Sequence, residues 1–374
     1  MVALKNAHAI GARYAFVDSI RGIAALMVIY LHIAEQLLQS REYYSDLEIS
    51  LFTLFTAYFD AGKIGVIMFF AVSGYVIPFS LLKKRKRPLL SFAIGRFMRL
   101  YPAYWLSILA MVLVVAWQGN PFDSFTIAAN ATMLQGFVGI QNIQGLYWTL
   151  QIELVFYGLC VVLFFFGLLG SQKWVTATAI ATLAGAFALA VARWATGMGF
   201  PVALPLALFA MFIGMTWRTA TLDKDETSMR HFRLLIALFV ISIPLISLLA
   251  YNADAANNET WYRYTLSYFT AMGLFILMTS WWKISNPFLS FLGTISYSVY
   301  LFGWVCTQII ETAFPSVLTG AIPGHALIAL ASIMTIVVST AIYYLVEKPS
   351  IELGRKLVKL VENGKGRAQI SEVI

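Results

Sequence analysis

The segment from residue 15 to residue 38 reads AFVDSIRGIAALMVIYLHIAEQLL, and it determines how the rest of the chain is interpreted. It is long and apolar enough to cross a bilayer as a helix, yet it contains Arg21 and His32. Eleven residues of α-helix make three turns plus about 20°, so the two side chains share one face about 16 Å apart along the axis. Ionisable residues at membrane depth usually face a cavity or a partner. We therefore expect both side chains to line a reaction chamber.

The composition also indicates a membrane protein. Of the 374 residues, 60% are hydrophobic and 12% are charged, which is too apolar for an ordinary soluble domain. Cys160 and Cys306 fall within apolar stretches, so we expect packing residues and not a disulfide framework. The net charge of +8 comes from basic residues between apolar stretches, not from a compact basic face with interleaved aromatics. We expect membrane lipids as partners and no nucleic acid.

Hydropathy predicts an all-α polytopic protein with about ten transmembrane helices. The predicted spans are residues 15–38, 63–82, 100–117, 146–170, 174–195, 201–217, 232–251, 262–282, 291–312 and 322–345. With a cytoplasmic N-terminus, all 26 lysines and arginines except Arg41, Lys63, Arg193 and Arg263 fall on the inner side. The positive-inside rule then predicts that both termini are cytoplasmic. The fifth and sixth spans could instead form a re-entrant pair.

The predicted transmembrane domain covers residues 1–350, and residues 351–374 form a short cytoplasmic tail. From Ile351 to Val361, Leu and Val alternate with Arg and Lys at helical spacing. This pattern is typical of an amphipathic helix on the inner leaflet.

Two carboxylates are candidate partners for the pair in the first helix. Asp18 precedes Arg21 by three residues, a spacing that allows an ion pair; the alternative is an ordinary snorkelling arginine. Glu153 and His32 are both predicted about 10 Å below the outer surface, counting 1.5 Å per residue. Similar depth is what a histidine base oriented by a carboxylate requires. The alternative is that Glu153 binds an unrelated polar side chain.

Further polar residues lie nearer the cytoplasmic side. Arg96 and Arg99, three residues apart at the start of the third span, have the planar guanidinium groups that suit phosphate recognition. The run Lys83 to Arg87 is better explained by topology and anionic lipid headgroups. The small pair Ser73-Gly74 permits either close helix packing or the passage of a narrow ligand.

Several ordered motifs resemble the acyltransferase 3 family of integral membrane O-acyltransferases. The resemblance extends from Asp18 to Pro349 and rests on the motifs in this list: Asp18 with Arg21 and His32, Gly65-Val66 to Ser73-Gly74-Tyr75, Arg96-x-x-Arg99 with Tyr101-Pro102, Trp148 to Glu153, Ser296 to Leu301, and Glu347-Lys348-Pro349. Ile67 and Gly303 depart from the family pattern, where relatives often carry Asp and His. The resemblance implies transfer of an acyl group, most simply acetyl, from cytoplasmic acyl-coenzyme A to hydroxyls of extracytoplasmic carbohydrate or lipid-linked glycans, including O-antigen and exopolysaccharide.

The resulting expectation is an inner (plasma) membrane O-acyltransferase with His32 as general base and Glu153 as its orienting carboxylate. Acyl-coenzyme A is the expected co-substrate, without a tightly bound cofactor or metal. Its binding residues are predicted to be Arg21, Arg96, Arg99, Ser73 and Gly74. The supporting or substrate-positioning residues are predicted to be Asp18, Trp148, Tyr297 and Glu347. Tyr297 could instead donate a hydrogen bond in the core, and Glu347 could pair with cations at the inner boundary.

A covalent acyl-histidine relay is the alternative chemistry, and a transporter or channel for a small anion or lipid intermediate is the alternative function.

Overall fold

The computed structural model describes the backbone of residues 2–252, 259–315, 320 and 322–363, and describes side chains from Ala15 onward except that of Arg41. These residues are mostly helical and contain no strand. The α-helices in this part of the chain are α1 (Val2–Gln39), α2 (Asp46–Thr53), α3 (Ala61–Val76), α4 (Pro78–Leu81), α5 (Pro88–Trp117), α6 (Ser124–Ala131), α7 (Trp148–Phe165), α8 (Gln172–Thr196), α9 (Ala203–Leu222), α10 (Glu226–Tyr251), α11 (Trp261–Ser280), α12 (Pro287–Ala313), α13 (Gly324–Ile342) and α14 (Lys348–Glu362). Short 3₁₀ and π-helical turns join several of them.

The predicted all-α polytopic fold is confirmed. Within the described ranges, 9 helices are long and apolar enough to cross a membrane. The predicted span 262–282 corresponds to α11, which has 20 residues but is less apolar because it contains Arg263 and several hydroxyl-bearing residues. Helix α11 packs against α3 and α10 and so belongs to the same bundle. The predicted ten spans therefore correspond to nine strongly apolar helices and one that is more polar.

The fifth and sixth predicted spans correspond to two separate helices, each long and apolar enough to cross a membrane. Helix α8 has 25 residues and α9 has 20. Gly197 follows α8 in the left-handed conformation, with φ of 70°, and its N–H donates to the carbonyl of Arg193. This conformation is readily adopted by glycine and ends α8 before the chain turns into α9.

Helix α1 lies at the centre of the bundle because it packs against both α12 and α3. Its crossing with α12 depends on small residues. A side-chain carbon at Gly293 would overlap the carbonyl oxygen of Asp18, and one at Gly22 would overlap the carbonyl oxygen of Leu289. This close approach fixes the beginning of the α1 span against α12.

A second close crossing joins α3 to α9 and explains Gly74. A carbon added at Gly74 would overlap the backbone of Met211, and one at Gly214 would overlap the carbonyl of Ala71. Of the two interpretations of Ser73-Gly74, helix packing therefore applies to Gly74. The predicted role of Gly74 in acyl-coenzyme A passage is not what the structure shows, because α9 covers this position.

Helix α5 begins at Pro88 and not at the predicted residue 100. Proline suits the first turn of a helix, where its missing N–H has no partner to lose. The backbone N–H groups of Lys86 and Arg87 donate to the carboxylate of Glu362 over 2.7 and 3.2 Å. Arg96 and Arg99 consequently lie inside α5, one turn apart, and not at its start.

The predicted amphipathic C-terminal helix is α14, which follows α13 through a π-helical segment, Tyr343–Glu347. Its charged side chains Arg355 and Lys359 are exposed, whereas Gly354 and Val361 are buried. The helix packs against α5, so protein covers part of the face that was expected to meet lipid. Residues 364–374 of the predicted tail lie outside the described residues.

Both cysteines, Cys160 and Cys306, are free and buried, in agreement with their predicted role as packing residues.

Candidate active site

Two adjoining cavities lie inside the helix bundle. We call the first the arginine cavity; its volume is about 290 Å³ and its charged lining residues are Asp18, Arg21, Arg96, Arg99 and Glu153. We call the second the histidine cavity; its volume is about 520 Å³ and its ionisable side chains other than tyrosine are His32, Glu35, Asp60, Lys63, Glu259 and Arg263. Val66, Phe70 and Tyr300 line both cavities and therefore form the boundary between them.

The arginine cavity brings together three predicted donor-binding residues from two helices. Arg21 comes from α1, and Arg96 and Arg99 come from one face of α5. Arg21 forms an ion pair of 3.8 Å with Asp18, as the three-residue spacing predicted. Neither Arg96 nor Arg99 has an acidic partner within 4.0 Å among the described residues. The cavity thus presents guanidinium groups that are only weakly neutralised by protein.

Glu153 lies in the arginine cavity, on the face of α7 that also presents Thr149 and Leu150. Its Oε1 accepts a hydrogen bond of 2.5 Å from the hydroxyl of Tyr157. His32 lies in the other cavity, and no hydrogen bond or ion pair joins it to Glu153 within the described part of the chain. The predicted contact between His32 and Glu153 is therefore absent, because Glu153 lies in the arginine cavity with Arg21 and the hydroxyl of Tyr157, and His32 lies in the other cavity.

The predicted donor-binding residue Ser73 and two of the predicted supporting residues divide between the two cavities. Ser73 and Tyr297 line the arginine cavity, and the Tyr297 hydroxyl donates to the carbonyl of Leu100 over 2.9 Å. Trp148, the first residue of α7, lines the histidine cavity. Tyr297 and Trp148, each expected to help position the reactants, therefore lie in different cavities.

Glu347 is a buried carboxylate near the arginine cavity. The π-helical segment carries it to Ser298 of α12, whose hydroxyl donates to its Oε2 over 2.7 Å. Its Oε1 is buried without a hydrogen-bond partner. Arg99 and Arg21 lie close enough to act on it electrostatically. Glu347 thus lies near cations without an ion pair within 4.0 Å among the described residues, and it is a candidate for positioning those two arginines.

His32 lies in the wall of the histidine cavity beside an aromatic side chain. Its ring contacts Trp304 edge to face, with centroids 5.2 Å apart and an interplanar angle of 66°. The described residues contain no hydrogen bond from its imidazole nitrogens. Asp60 is close enough for its charge to act on the imidazole. The ring is thus available to a molecule that enters the cavity, and the acidic group that acts on it electrostatically is Asp60, not Glu153.

An ion-pair network, which the sequence analysis did not identify, surrounds the histidine cavity. Arg263 donates from Nε and Nη2 to Asp60 Oδ2, each over 2.8 Å, and its Nη2 lies 3.3 Å from Glu35. The Nζ of Lys63 lies 2.6 Å from Glu259 and 3.3 Å from Asp60. The sequence analysis treated Lys63 and Arg263 only as charges of the outer loops. Lys63 and Arg263 each lie near the start of a helix and within four positions of an acidic residue. This sequence pattern could have predicted that they form ion pairs.

The described residues provide no group of three or more His, Cys, Asp or Glu side chains arranged to hold a metal ion. What they provide is an arginine-lined cavity adjoining a cavity with an available imidazole. Guanidinium groups suit a phosphorylated ligand, and an imidazole suits proton transfer. The three shared wall residues put the arginine groups and the imidazole in neighbouring cavities.

The family model Acyl_transf_3, described as an acyltransferase domain, matches residues 14–344. The chain belongs to this acyltransferase family. Together with the apolar helices, this makes the protein a multi-pass membrane acyltransferase. The matched range contains every candidate site residue except Glu347, which follows three positions after its end. No curated protein and no solved structure matches the chain.

Proposed function

We propose that the protein transfers an acyl group, acetyl by family resemblance, from cytoplasmic acyl-coenzyme A to a hydroxyl group of an extracytoplasmic carbohydrate or lipid-linked glycan. The observation that carries this proposal is the pair of adjoining cavities, one lined by three arginines and the other by His32. Membership in the acyltransferase family supports acyl transfer over transport of an anion or a lipid intermediate.

The donor binds in the arginine cavity under this proposal. The phosphates of coenzyme A meet Arg21, Arg96 and Arg99, whose guanidinium groups can each donate two parallel hydrogen bonds. The positive-inside rule assigns the start of the α1 span, which lines this cavity, to the inner leaflet. In a protein of the inner (plasma) membrane, the cavity then opens toward the cytoplasm, where acyl-coenzyme A is present. The acyl-pantetheine arm then extends past Phe70 and Tyr300 into the histidine cavity.

The reaction takes place at His32. The neutral imidazole accepts the proton of the acceptor hydroxyl as that oxygen attacks the thioester carbonyl carbon. The C–S bond breaks, the new C–O ester bond forms, and the imidazolium returns its proton to the departing coenzyme A thiolate. The negative charge of Asp60 stabilises the imidazolium while it exists. In the alternative relay, the acyl group resides on the imidazole before it reaches the hydroxyl.

Replacement of His32 tests this proposal. Purified protein in lipid nanodiscs is incubated with radiolabelled acetyl-coenzyme A and membrane glycans from the producing cell, and glycan-bound label is measured. We expect His32→Gln and His32→Ala to lower the rate constant of transfer about 100-fold or more, because a general base contributes about that factor. Coenzyme A affinity, measured separately, stays near that of the parent protein.

Two outcomes contradict the proposal. Equal transfer by His32→Ala and the parent protein removes the base role. Movement of labelled acetate or lipid across the membrane of proteoliposomes that contain the protein, with every glycan unlabelled, indicates the transporter alternative. Recovery of label on the imidazole after an acid quench distinguishes the covalent relay from direct transfer.

A further inference from the structure

The charged groups around the histidine cavity differ in how much of each side chain is accessible to a ligand. The network contains three acids, Glu35, Asp60 and Glu259, and two bases, Lys63 and Arg263. The two bases have side chains that are 15% and 7% exposed. Glu35 and Glu259 are 42% and 29% exposed. The surface that a ligand meets is therefore more acidic than the network as a whole.

Both bases are neutralised within the protein. Two nitrogens of Arg263 hold Asp60 at 2.8 Å, and Asp60 itself is only 3% exposed. Lys63 lies 2.6 Å from Glu259, and its ammonium group lies 3.6 Å from the centroid of the Tyr264 ring. Neither cation is left to bind an anionic group of a ligand.

Glu35 is the least constrained acid of the network. Among the described residues its one ion pair, at 3.3 Å, is with an Arg263 that is bound more closely by Asp60. It follows His32 by three residues on α1, so the two side chains lie on neighbouring parts of one helix face. A ligand hydroxyl or ammonium group beside His32 can therefore donate to Glu35.

Aromatic rings form much of the remaining wall of the histidine cavity. Trp148, Tyr264, Tyr268, Tyr300 and Trp304 all line it. Aromatic rings provide flat apolar surfaces for the C–H faces of sugar rings, and a few polar groups among apolar walls fix the orientation of a bound molecule. A volume of about 520 Å³ accommodates one or two sugar rings.

We propose that the histidine cavity is a subsite for a sugar unit without a negative charge, and that Glu35 is its acceptor-binding carboxylate. This inference rests on the proposed acyltransferase function for the reaction that follows binding. Neutral hydroxyls and ammonium groups donate to Glu35, whereas a carboxylate, sulfate or phosphate at the same position is repelled by Glu35 and Glu259. The subsite therefore determines which residue of a mixed glycan receives the acyl group.

Sugar binding is tested separately from transfer by titrating the full-length protein in nanodiscs and following tryptophan fluorescence, since Trp148 and Trp304 line the cavity. The probes are neutral disaccharides of glucose, galactose and mannose, each compared with its amino-sugar and uronic-acid counterpart. We expect the neutral and amino sugars to bind about tenfold or more tightly than the matching uronic acids, because like charges repel more strongly in a partly desolvated site than in water.

Variants at Glu35 make the test specific. Glu35→Gln should reduce the preference against uronic acids, and Glu35→Lys should abolish or reverse it. Glu42→Lys is the matched control, since it makes the same change in total charge at an exposed residue that lines neither cavity. Equal binding of neutral sugars and uronic acids, an unchanged preference in Glu35→Lys, or no sugar binding at all would overturn the proposal.

The same sugars in the radiolabelled transfer assay separate this proposal from the proposed function. If the sugars bind with the expected charge preference but none of them receives an acetyl group, the acyltransferase mechanism is contradicted and the proposed subsite is not. Efficient transfer to uronic acids leaves the mechanism intact and contradicts the subsite.

Discussion

The arginine and histidine cavities contain similar numbers of charged residues but arrange them differently. In the histidine cavity the cations lie within 2.6 to 3.3 Å of carboxylates, so they hold helices together. In the arginine cavity the ion pair between its charged residues is the long contact of 3.8 Å between Arg21 and Asp18, within the described residues. The difference indicates that the cations of the histidine cavity serve the fold, whereas the guanidinium groups of the arginine cavity remain available to a ligand.

The largest difference between the two cavities is expected in the loss of protein stability when one carboxylate of each cavity is neutralised. Asp60→Asn leaves the buried guanidinium of Arg263 without its closest partner, and removal of one member of a buried pair costs about 3 kcal/mol. Asp18→Asn removes a partly exposed pair and is expected to change stability by less than about 1 kcal/mol. Thermal unfolding of both variants in the same detergent measures the contrast.

Asparagine can still accept the hydrogen bond from the Lys63 backbone N–H that begins α3, so Asp60→Asn isolates the charge from the helix cap. Similar unfolding temperatures for the two variants would show that the histidine-cavity network does not stabilise the fold more than the Arg21–Asp18 pair does.

The second contrast concerns donor binding. Arg99→Gln should raise the KM for acetyl-coenzyme A about tenfold or more with little change in kcat, because a hydrogen bond to a charged group contributes about 1.5 to 3 kcal/mol. The loss should be smaller for a donor that lacks the 3′-phosphate if Arg99 contacts that group. Steady-state kinetics with both donors measure the effect.

Arg355→Gln is the control for donor binding, since Arg355 is an exposed arginine of α14 that lines neither cavity. A lower kcat at unchanged KM in Arg99→Gln would assign this side chain to the chemical step and would remove the distinction between the two cavities.

The sequence predicted the fold well because apolar length and charge placement are local properties. The α1 span, the face shared by Arg21 and His32, the pairing of Arg21 with Asp18 and the amphipathic α14 all follow from helical periodicity. The start of α5 was placed too late because Arg96 and Arg99 lower the hydropathy of a segment that nevertheless continues the helix from Pro88.

The side-chain groupings required the tertiary structure. Counting residues along α1 and α7 placed Glu153 and His32 at similar depth, but Glu153 lies in the arginine cavity with Arg21 and accepts a hydrogen bond from Tyr157, whereas His32 lies in the histidine cavity. Gly74 allowed two interpretations until its partner helix, α9, was known. Asp60 and Arg263 are more than 200 positions apart, and no local pattern relates them.

The boundary between the cavities provides the last and smallest expected effect. Phe70 is 5% exposed and lines both cavities, so an acyl group that moves from donor site to imidazole must pass its ring. Phe70→Leu should widen this passage and raise the rate with hexanoyl-coenzyme A relative to acetyl-coenzyme A severalfold. Phe212→Leu is the matched control, since Phe212 is a fully buried phenylalanine that lines neither cavity. Both variants lose similar packing, so only the change in chain-length preference distinguishes them. An equal preference in the two variants would mean that the acyl group does not cross at Phe70, and the two cavities would then not be consecutive parts of one reaction path.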